Sequence, residues 1–184
     1  MTRDDVIKAC YEIPGQTWPT ELGWLYDTLA SSMTHAEVGV YCGRSLVASA
    51  GGMQQGARIF GVDNGSLGAA GWVDDVRRST IDRLVNKVVS VQMVKLPSVA
   101  AARSVEASLS GVKLDSVFID ADHHYAECIA DIEAWSSLVR PGGIVCGHDY
   151  WPAHPGVMDA VNRFFGEDFS VFANTRIWYS RIKS

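Results

Sequence analysis

The sequence predicts an α/β fold built on one mostly parallel, seven-stranded sheet with helices on both faces. Three observations carry that expectation. Five apolar runs alternate with helix-patterned segments between residues 36 and 166, and such alternation requires right-handed crossovers and a parallel sheet covered on both sides. The chain then closes with two further strand-like runs, "FSVFA" and "RIWYSRI", joined by a tight "NTR" turn that forces an antiparallel pair. Two helix-patterned segments precede the first strand.

Each element has its own local signal. "TRDDVIKACYEI" reads as a helix with Thr2 as its cap and Asp5 at the third helical position, and "PGQTWP" breaks it. Thr20 starts "TELGWLYDTLA", in which Leu22, Leu25, Tyr26 and Leu29 fall at i, i+3, i+4 and i+7. "AEVGVY" is the first strand and "SLVASAGGM" the helix after it; "RIFGVD" is the second strand, followed by "VDDVRRSTIDRLVNKV", a helix with an acidic first turn. "VSVQMVKL" and "SVAAARSVEASL" form the third strand–helix unit, and "LDSVFID" and "AECIADIEAWSSLV" the fourth. "GGIVCGHDY" is the fifth strand, and "GVMDAVNRFFG" the last helix.

The bulk numbers narrow the function classes. A chain of 184 residues, 47% hydrophobic and 20% charged, suits one globular domain. We expect a single domain over 1–184, with 1–33 a helical N-terminal segment and 34–184 the ligand-binding core. The net charge of −5, without a Lys/Arg cluster, argues against a nucleic-acid or anionic-membrane surface. Cys10, Cys42, Cys128 and Cys146 show no CxxC pairing, the opening "MTRDDVIKAC" lacks an apolar export run, and no stretch reaches membrane-span length. The expectation is a cytoplasmic protein with reduced thiols.

The segment "HAEVGVYCGRSLVASAGG" turns from strand to helix through Gly39 and Gly43. In a doubly wound sheet, ligands sit beyond the carboxyl ends of the strands at the switch point. Glycines there let the backbone approach a ligand, and Ser45 stands where it would cap the following helix. The dinucleotide fingerprint GxGxxG is absent, since Tyr41 stands two residues after Gly39. Asp63 ends "RIFGVD" twenty residues past Gly43, where a carboxylate can accept both ribose hydroxyls of an adenosine. The bland alternative is a tight connection and a loop aspartate. Asp63 together with the sheet order favours the ligand.

At this point "EVGVYCGRS", "IFGVDN", "VFIDADHHYAECIADIEAW", "LVRPGGIVCGHDY" and the upstream "IPG" resemble class I S-adenosylmethionine-dependent methyltransferases. The resemblance covers roughly residues 12–184 and is to the branch labelled methyltransferase family 24. That branch borders macrocin-type sugar O-methyltransferases, cephalosporin-hydroxylase-like proteins and metal-dependent catechol O-methyltransferases. It implies a Rossmann-like class I sheet and S-adenosyl-L-methionine as cofactor. By position it implies that Glu37 and Gly39 form the cofactor loop, Gly43 closes it, Asp63 holds the ribose, Ser98 contacts adenine and Asp120 faces the methyl-transfer centre. Tyr41 replaces the middle glycine of the general motif, and Lys95, Leu96 and Pro97 stand where an acidic residue usually precedes Ser98.

"FIDADHHY" and "CGHDYWPAHPG" end adjacent strands and bring Asp120, Asp122, His123, His124, His148, Asp149 and His154 toward one rim. Carboxylates with one imidazole suit Mg²⁺ or Mn²⁺, and a histidine-richer set suits Zn²⁺ or Fe²⁺. In the metal-dependent relatives the ligand positions correspond to Asp120, His148 and Asp149, with the histidine a departure. Asp120 and His123 are the candidate bases. The bland alternative makes Asp122 a helix cap and His124 and His154 surface or packing residues. Trp72 is a candidate cover for adenine and Trp151 a candidate wall of the acceptor site.

The expected function is O-methylation of a small hydroxylated acceptor, sugar or phenol-like, with or without a divalent metal. Two rivals stay open: a metal-dependent hydrolase or oxygenase using the Asp/His rim, and a catalytically idle binding module. Expected partners are a small molecule and neither nucleic acid nor membrane, with an oligomer of identical chains left open.

Overall fold

The first helix forms as its cap predicts. Thr2 Oγ1 accepts the Asp5 backbone N–H at 3.2 Å while the Asp5 carboxylate accepts the Thr2 N–H at 2.9 Å, a reciprocal capping box that starts α1 (Arg3–Tyr11). The second helix, α2 (Pro19–Thr28), begins one residue before the expected Thr20. Pro19 needs no hydrogen-bond partner in a first turn, and the Glu21 carboxylate accepts the Trp18 N–H at 2.8 Å.

The computed structural model describes residues 1–66, 72–84 and 89–183, without the side chains of 72, 73, 77 and 81; the expectation for Trp72 lies outside that description. Strands and helices then alternate: β1 (Thr34–Val38), α3 (Arg44–Gly52), β2 (Arg58–Asp63), α4 (Trp72–Arg83), β3 (Ser90–Lys95), α5 (Ser98–Leu109) and β4 (Leu114–Ile119). The rest is α6 (Tyr125–Ser136), β5 (Val139–Gly147), α7 (Pro155–Phe165), β6 (Ser170–Val171) and β7 (Trp178–Arg181). The sheet order is β3-β2-β1-β4-β5-β7-β6. The first five strands pair in parallel, and β7 runs antiparallel to both β5 and β6, so the closing hairpin is as expected. Among the described residues, no helix is long and apolar enough to cross a membrane, and the four cysteines are free.

Several boundaries differ from the expectation. The first strand stops at Val38 rather than at Tyr41, because Gly39 takes φ 88° and leaves the extended region. α6 stops at Ser136, three residues short of the expected Val139, and β5 begins at Val139. Its pairing jumps from Leu114↔Val139 to Ser116↔Ile144, so Pro141, Gly142 and Gly143 fall in a bulge that periodicity cannot register.

Strand alternation divides the core into two layers. Ala36, Val38, Phe60, Val62, Val117 and Ile119 pack with Val105, Ile132, Trp135 and Val161 from α5–α7. On the other face, Ile59 and Val91 join Val6, Leu22, Leu46 and Val76 from α1–α4. The crossover direction reverses between β1 and β4, which places their carboxyl ends side by side beneath the loops that follow.

One buried polar pair stands at the opposite end of these two strands. His35 is fully buried, and its Nδ1 lies 2.8 Å from the hydroxyl of its cross-strand partner Ser116. Burial pushes the His35 pKa down to about 3, so the folded protein holds the ring neutral. The unfolded chain takes up a proton below pH ~6.5, and the contribution of His35 is therefore whole above that pH and lost progressively as pH falls toward the folded value. Urea unfolding between pH 4.5 and 7.5 should show stability falling by up to about 1.4 kcal/mol per pH unit from this group. His35→Gln should remove that slope; equal slopes in variant and parent would assign the acid sensitivity elsewhere.

Candidate active site

The turn after β1 is fixed by its neighbours. Gly39 donates its N–H to the Val62 carbonyl at 2.8 Å, and Asp120 donates to Val38 at 2.7 Å, so the strand end is tied to both flanking strands. A Cβ on Gly39 would collide with the Asp120 carbonyl. Tyr41 (φ 48°) and Gly43 (φ 89°) complete the turn in the left-handed region, and the Gly43 N–H donates to Val40 at 2.8 Å. Asp63 braces it from β2: Oδ2 accepts the Val40 and Tyr41 N–H groups at 3.1 and 2.9 Å, and Oδ1 accepts that of Gly65 at 2.7 Å. Three of the carboxylate's roughly four acceptor positions are thus taken, which leaves room for one ligand hydroxyl instead of the expected two.

Glu37 and Ser45 sit differently from the expectation. Glu37 is fully buried beneath the turn, where it accepts hydrogen bonds from Ser45 Oγ at 2.8 Å and Ser49 Oγ at 3.3 Å. Burial pushes its pKa up to about 8. It holds the first turns of α3 to the sheet and has no exposed surface. Ser45 caps nothing; Gly43 is the N-cap of α3 and makes no side-chain bond. Ser98 opens α5, and its hydroxyl accepts the Trp135 indole N–H at 2.9 Å. Burial lifts the adjoining Asp131 to about 6, partly offset by its bond to Ser98.

Past the ends of β4 and β5 the acidic and imidazole side chains converge. His148 is nearly buried, with Nδ1 3.3 Å from Asp149 Oδ1 and 3.9 Å from Asp120 Oδ1. Its Nε2 lies 3.1 Å from Glu21 Oε2. Burial works against the imidazolium, but Asp149, Glu21 and Asp120 together raise the His148 pKa to about 10. Burial likewise works against the Asp149 carboxylate, yet His123 and His148 hold it well below the usual range. Asp120 keeps a raised pKa, because burial outweighs its attraction to His148. Beside these groups lies a cavity of about 20 Å³, room for one water, with Asp120, His123 and His148 on one side and Ile119, Ile132 and Val157 among its largely apolar walls.

His123 joins the cluster directly: its Nε2 lies 2.9 Å from Asp149 Oδ2, and that bond raises its pKa. His124 does not join. It is exposed, is the N-cap residue of α6, and pairs with Asp122 Oδ1 through both its backbone N–H at 2.8 Å and its ring at 2.6 Å. Asp122 therefore braces the residue before the helix without being the cap itself. His154, read from sequence as peripheral, stacks on His123 with ring centroids 4.2 Å apart and lies 3.8 Å from Asp149.

Two members escaped the sequence reading. Glu21 reaches the cluster from α2, fully buried, and Arg176 arrives from the β6–β7 turn. Arg176 Nη1 is 3.4 Å from Asp149 Oδ1, and its guanidinium lies over the exposed rings of Trp18 and Trp151 at 5.1 and 5.6 Å. The amphipathic pattern of "TELGWLYDTLA" gave Glu21 no role, and "NTR" read only as a turn. Neither carries a motif.

A family model described as a methyltransferase domain matches residues 36–150, which includes the glycine turn, Asp63, Asp120 and the His148–Asp149 pair. The chain belongs to this family. It falls in the family 24 branch of the class I S-adenosylmethionine-dependent methyltransferases, as its motifs suggested. It is similar to the uncharacterized protein R132 of Acanthamoeba polyphaga mimivirus, 29% identical over 140 residues, or 73% of this chain. The match spans 60% of that relative's length. Among solved structures it is similar to CalS11, a calicheamicin methyltransferase, with TM-score 0.74 and 16% identity over 88% of this chain and 77% of that one. It is also similar to an O-methyltransferase from Bacillus cereus in complex with SAH, with TM-score 0.67 and 19% identity over 97% and 90% of the two chains. A third, the O-methyltransferase TomG from Streptomyces achromogenes in complex with SAM, gives TM-score 0.66 and 15% identity over 100% and 92%. At these identities the likeness establishes the shared fold.

For this methyltransferase the β1–β4 approach at Gly39 is the least tolerant point of the site. Gly39→Ala adds a methyl group against the Asp120 backbone and strains a left-handed φ, so it should destabilise by at least ~3 kcal/mol. A thermal melt within a few degrees of the parent would refute this.

Proposed function

We propose that the protein transfers the methyl group of S-adenosylmethionine to a hydroxyl oxygen of a small acceptor, sugar or phenol-like, with a divalent ion at Asp120, His148 and Asp149. The observation that carries this reading is the meeting, at the β1–β4 switch point, of the Asp63-braced glycine turn and the Asp/His rim. The donor chemistry fits an ion: the three residues offer two carboxylate oxygens and one imidazole nitrogen within 4.8 Å of one another. Bound S-adenosylmethionine supplies a methyl group already activated for displacement, and the ion would stabilise the deprotonated acceptor oxygen.

The chain's own residues then have four tasks. Asp63 offers its remaining acceptor position to a ribose hydroxyl. Glu37, through Ser45 and Ser49, keeps the start of α3 rigid beneath the cofactor turn. Asp120 faces the transfer centre, and the exposed Trp18 and Trp151 wall the acceptor mouth, aligning the oxygen and excluding water. His123 donates Nε2–H to Asp149 and so leaves Nδ1 to receive the acceptor proton. His124, turned away onto Asp122, takes no part.

Two measurements test this assignment. Calorimetry should give saturable binding of S-adenosylhomocysteine and none of NADH, and Asp63→Ala should weaken it by at least ~10-fold, the equivalent of one charged hydrogen bond. Equal affinities would remove Asp63 from the ribose. Methyl transfer should be found in a panel of catechols, other phenols and nucleotide sugars, and its absence from all of them would refute the acceptor class. On the best acceptor, His123→Ala should cut kcat by ~10²-fold with homocysteine-cofactor affinity unchanged, while His124→Ala stays within a few-fold. A His123 variant that keeps its rate would move the base to Asp120.

A further inference from the structure

We infer that Glu21, on the N-terminal helix α2, is a positioning residue that holds His148 with Nδ1 facing Asp120 and Asp149, making the ring the nitrogen ligand of a divalent ion and favouring Mn²⁺ or Zn²⁺ over Mg²⁺. This rests on the ion reading above and adds to it a residue and a choice of metal.

The geometry points to it in three steps. Glu21 cannot swing. Its Oε2 accepts the Trp18 N–H at 2.8 Å and its Oε1 accepts the Arg176 N–H at 3.0 Å, so backbone from two distant parts of the chain clamps a carboxylate that has no exposed surface. A buried carboxylate is expensive unless paired, and the cap on α2 could be served by one at the surface. The partner that the burial reaches is His148, in an ion pair: Nε2 lies 3.1 Å from Oε2, though not in hydrogen-bond alignment with it.

With one ring edge given to Glu21, the other is committed to the rim. Nδ1 stands 3.3 Å from Asp149 Oδ1 and 3.9 Å from Asp120 Oδ1, close to the ~3–4 Å between ligand atoms that bonds of ~2.1 Å to one ion imply. Metal-bound histidines usually turn their second nitrogen to a carboxylate or carbonyl, which fixes ring and tautomer. Glu21 is the carboxylate beside that second nitrogen here, in ion-pair contact with it. The cavity of about 20 Å³ lies beside Asp120 and His148, and Arg176, 3.4 Å from Asp149, offsets part of the negative charge. An imidazole ligand suits Mn²⁺ or Zn²⁺, whereas Mg²⁺ prefers a shell of oxygens and water.

The test uses the full chain with the metals themselves. Calorimetric titration should give Mn²⁺ binding at least ~10-fold tighter than Mg²⁺, abolished by Asp149→Asn. Glu21→Gln should weaken Mn²⁺ binding by ~10–100-fold, the usual effect of losing such a partner, with S-adenosylhomocysteine affinity unchanged. A Glu21→Gln protein that binds Mn²⁺ like the parent overturns the role of Glu21 and leaves the ion reading standing. A parent that binds no Mn²⁺, or binds it regardless of Asp149→Asn, overturns both. Equal Mg²⁺ and Mn²⁺ affinities overturn the metal choice. Should Glu21→Gln fail to fold, ¹⁵N NMR of the histidine-labelled parent decides instead. On adding Zn²⁺, His148 should keep Nε2 protonated while Nδ1 shifts to a metal-bound value; the reverse assignment, or no shift, refutes the inference.

Discussion

The end of the sheet that carries the candidate site depends on one nearly buried imidazole, His148, held between carboxylates from three separate parts of the chain. Asp120 follows β4, Asp149 adjoins His148 after β5, and Glu21 comes from α2. Each of these charges alone would be costly to bury, and each is tolerable because the others surround it. The consequence is mechanical as well as electrostatic. Glu21 also holds the Trp18 and Arg176 backbones, so the start of α2 and the turn of the closing hairpin are tied to the same point as the end of the parallel sheet.

A second constraint sets the neighbouring half of the site. β1 and β4 approach so closely at Gly39 that no side chain fits against the Asp120 backbone. The turn is then forced up and over the strand end, with its N–H groups gathered on Asp63. The same contact brings Asp120 beside the turn, and the acidic rim beyond it. The separation between the glycine turn and the acidic rim is thus set by backbone packing between two strands.

The sheet was legible because its signals are local and repeated. Period-2 apolar runs, helix patterns between them and one short turn near the end were enough to give the seven strands and the hairpin. The boundaries that moved did so for reasons outside periodicity. β1 was cut short by a left-handed glycine, and β5 was shifted three residues toward the N-terminus through a Pro-Gly-Gly bulge whose pairing with β4 is a long-range fact. Gly39, Asp63, Asp120, His148 and Asp149 were legible as candidates because each lies at or just past the carboxyl end of a parallel strand. Ser45 misled, since its place near a helix start suited a cap, yet the nearby Glu37 carboxylate offered its hydroxyl a better acceptor.

By itself, the sequence determined the alternation that builds the sheet and, through the motifs near the carboxyl ends of its strands, the resemblance to the family, because both are local patterns of neighbouring residues. Tertiary structure alone decided the partners those residues meet. Glu21 and Arg176 carry no motif, and each becomes part of the site only when α2 and the hairpin close over the rim. His123 and His124 are adjacent in sequence and alike in chemistry, but one reaches Asp149 while the other turns to Asp122. That choice belongs to the direction in which α6 leaves the sheet. A one-dimensional pattern holds no record of it, because the energy of a buried charge is set by whatever packs around it from elsewhere in the chain.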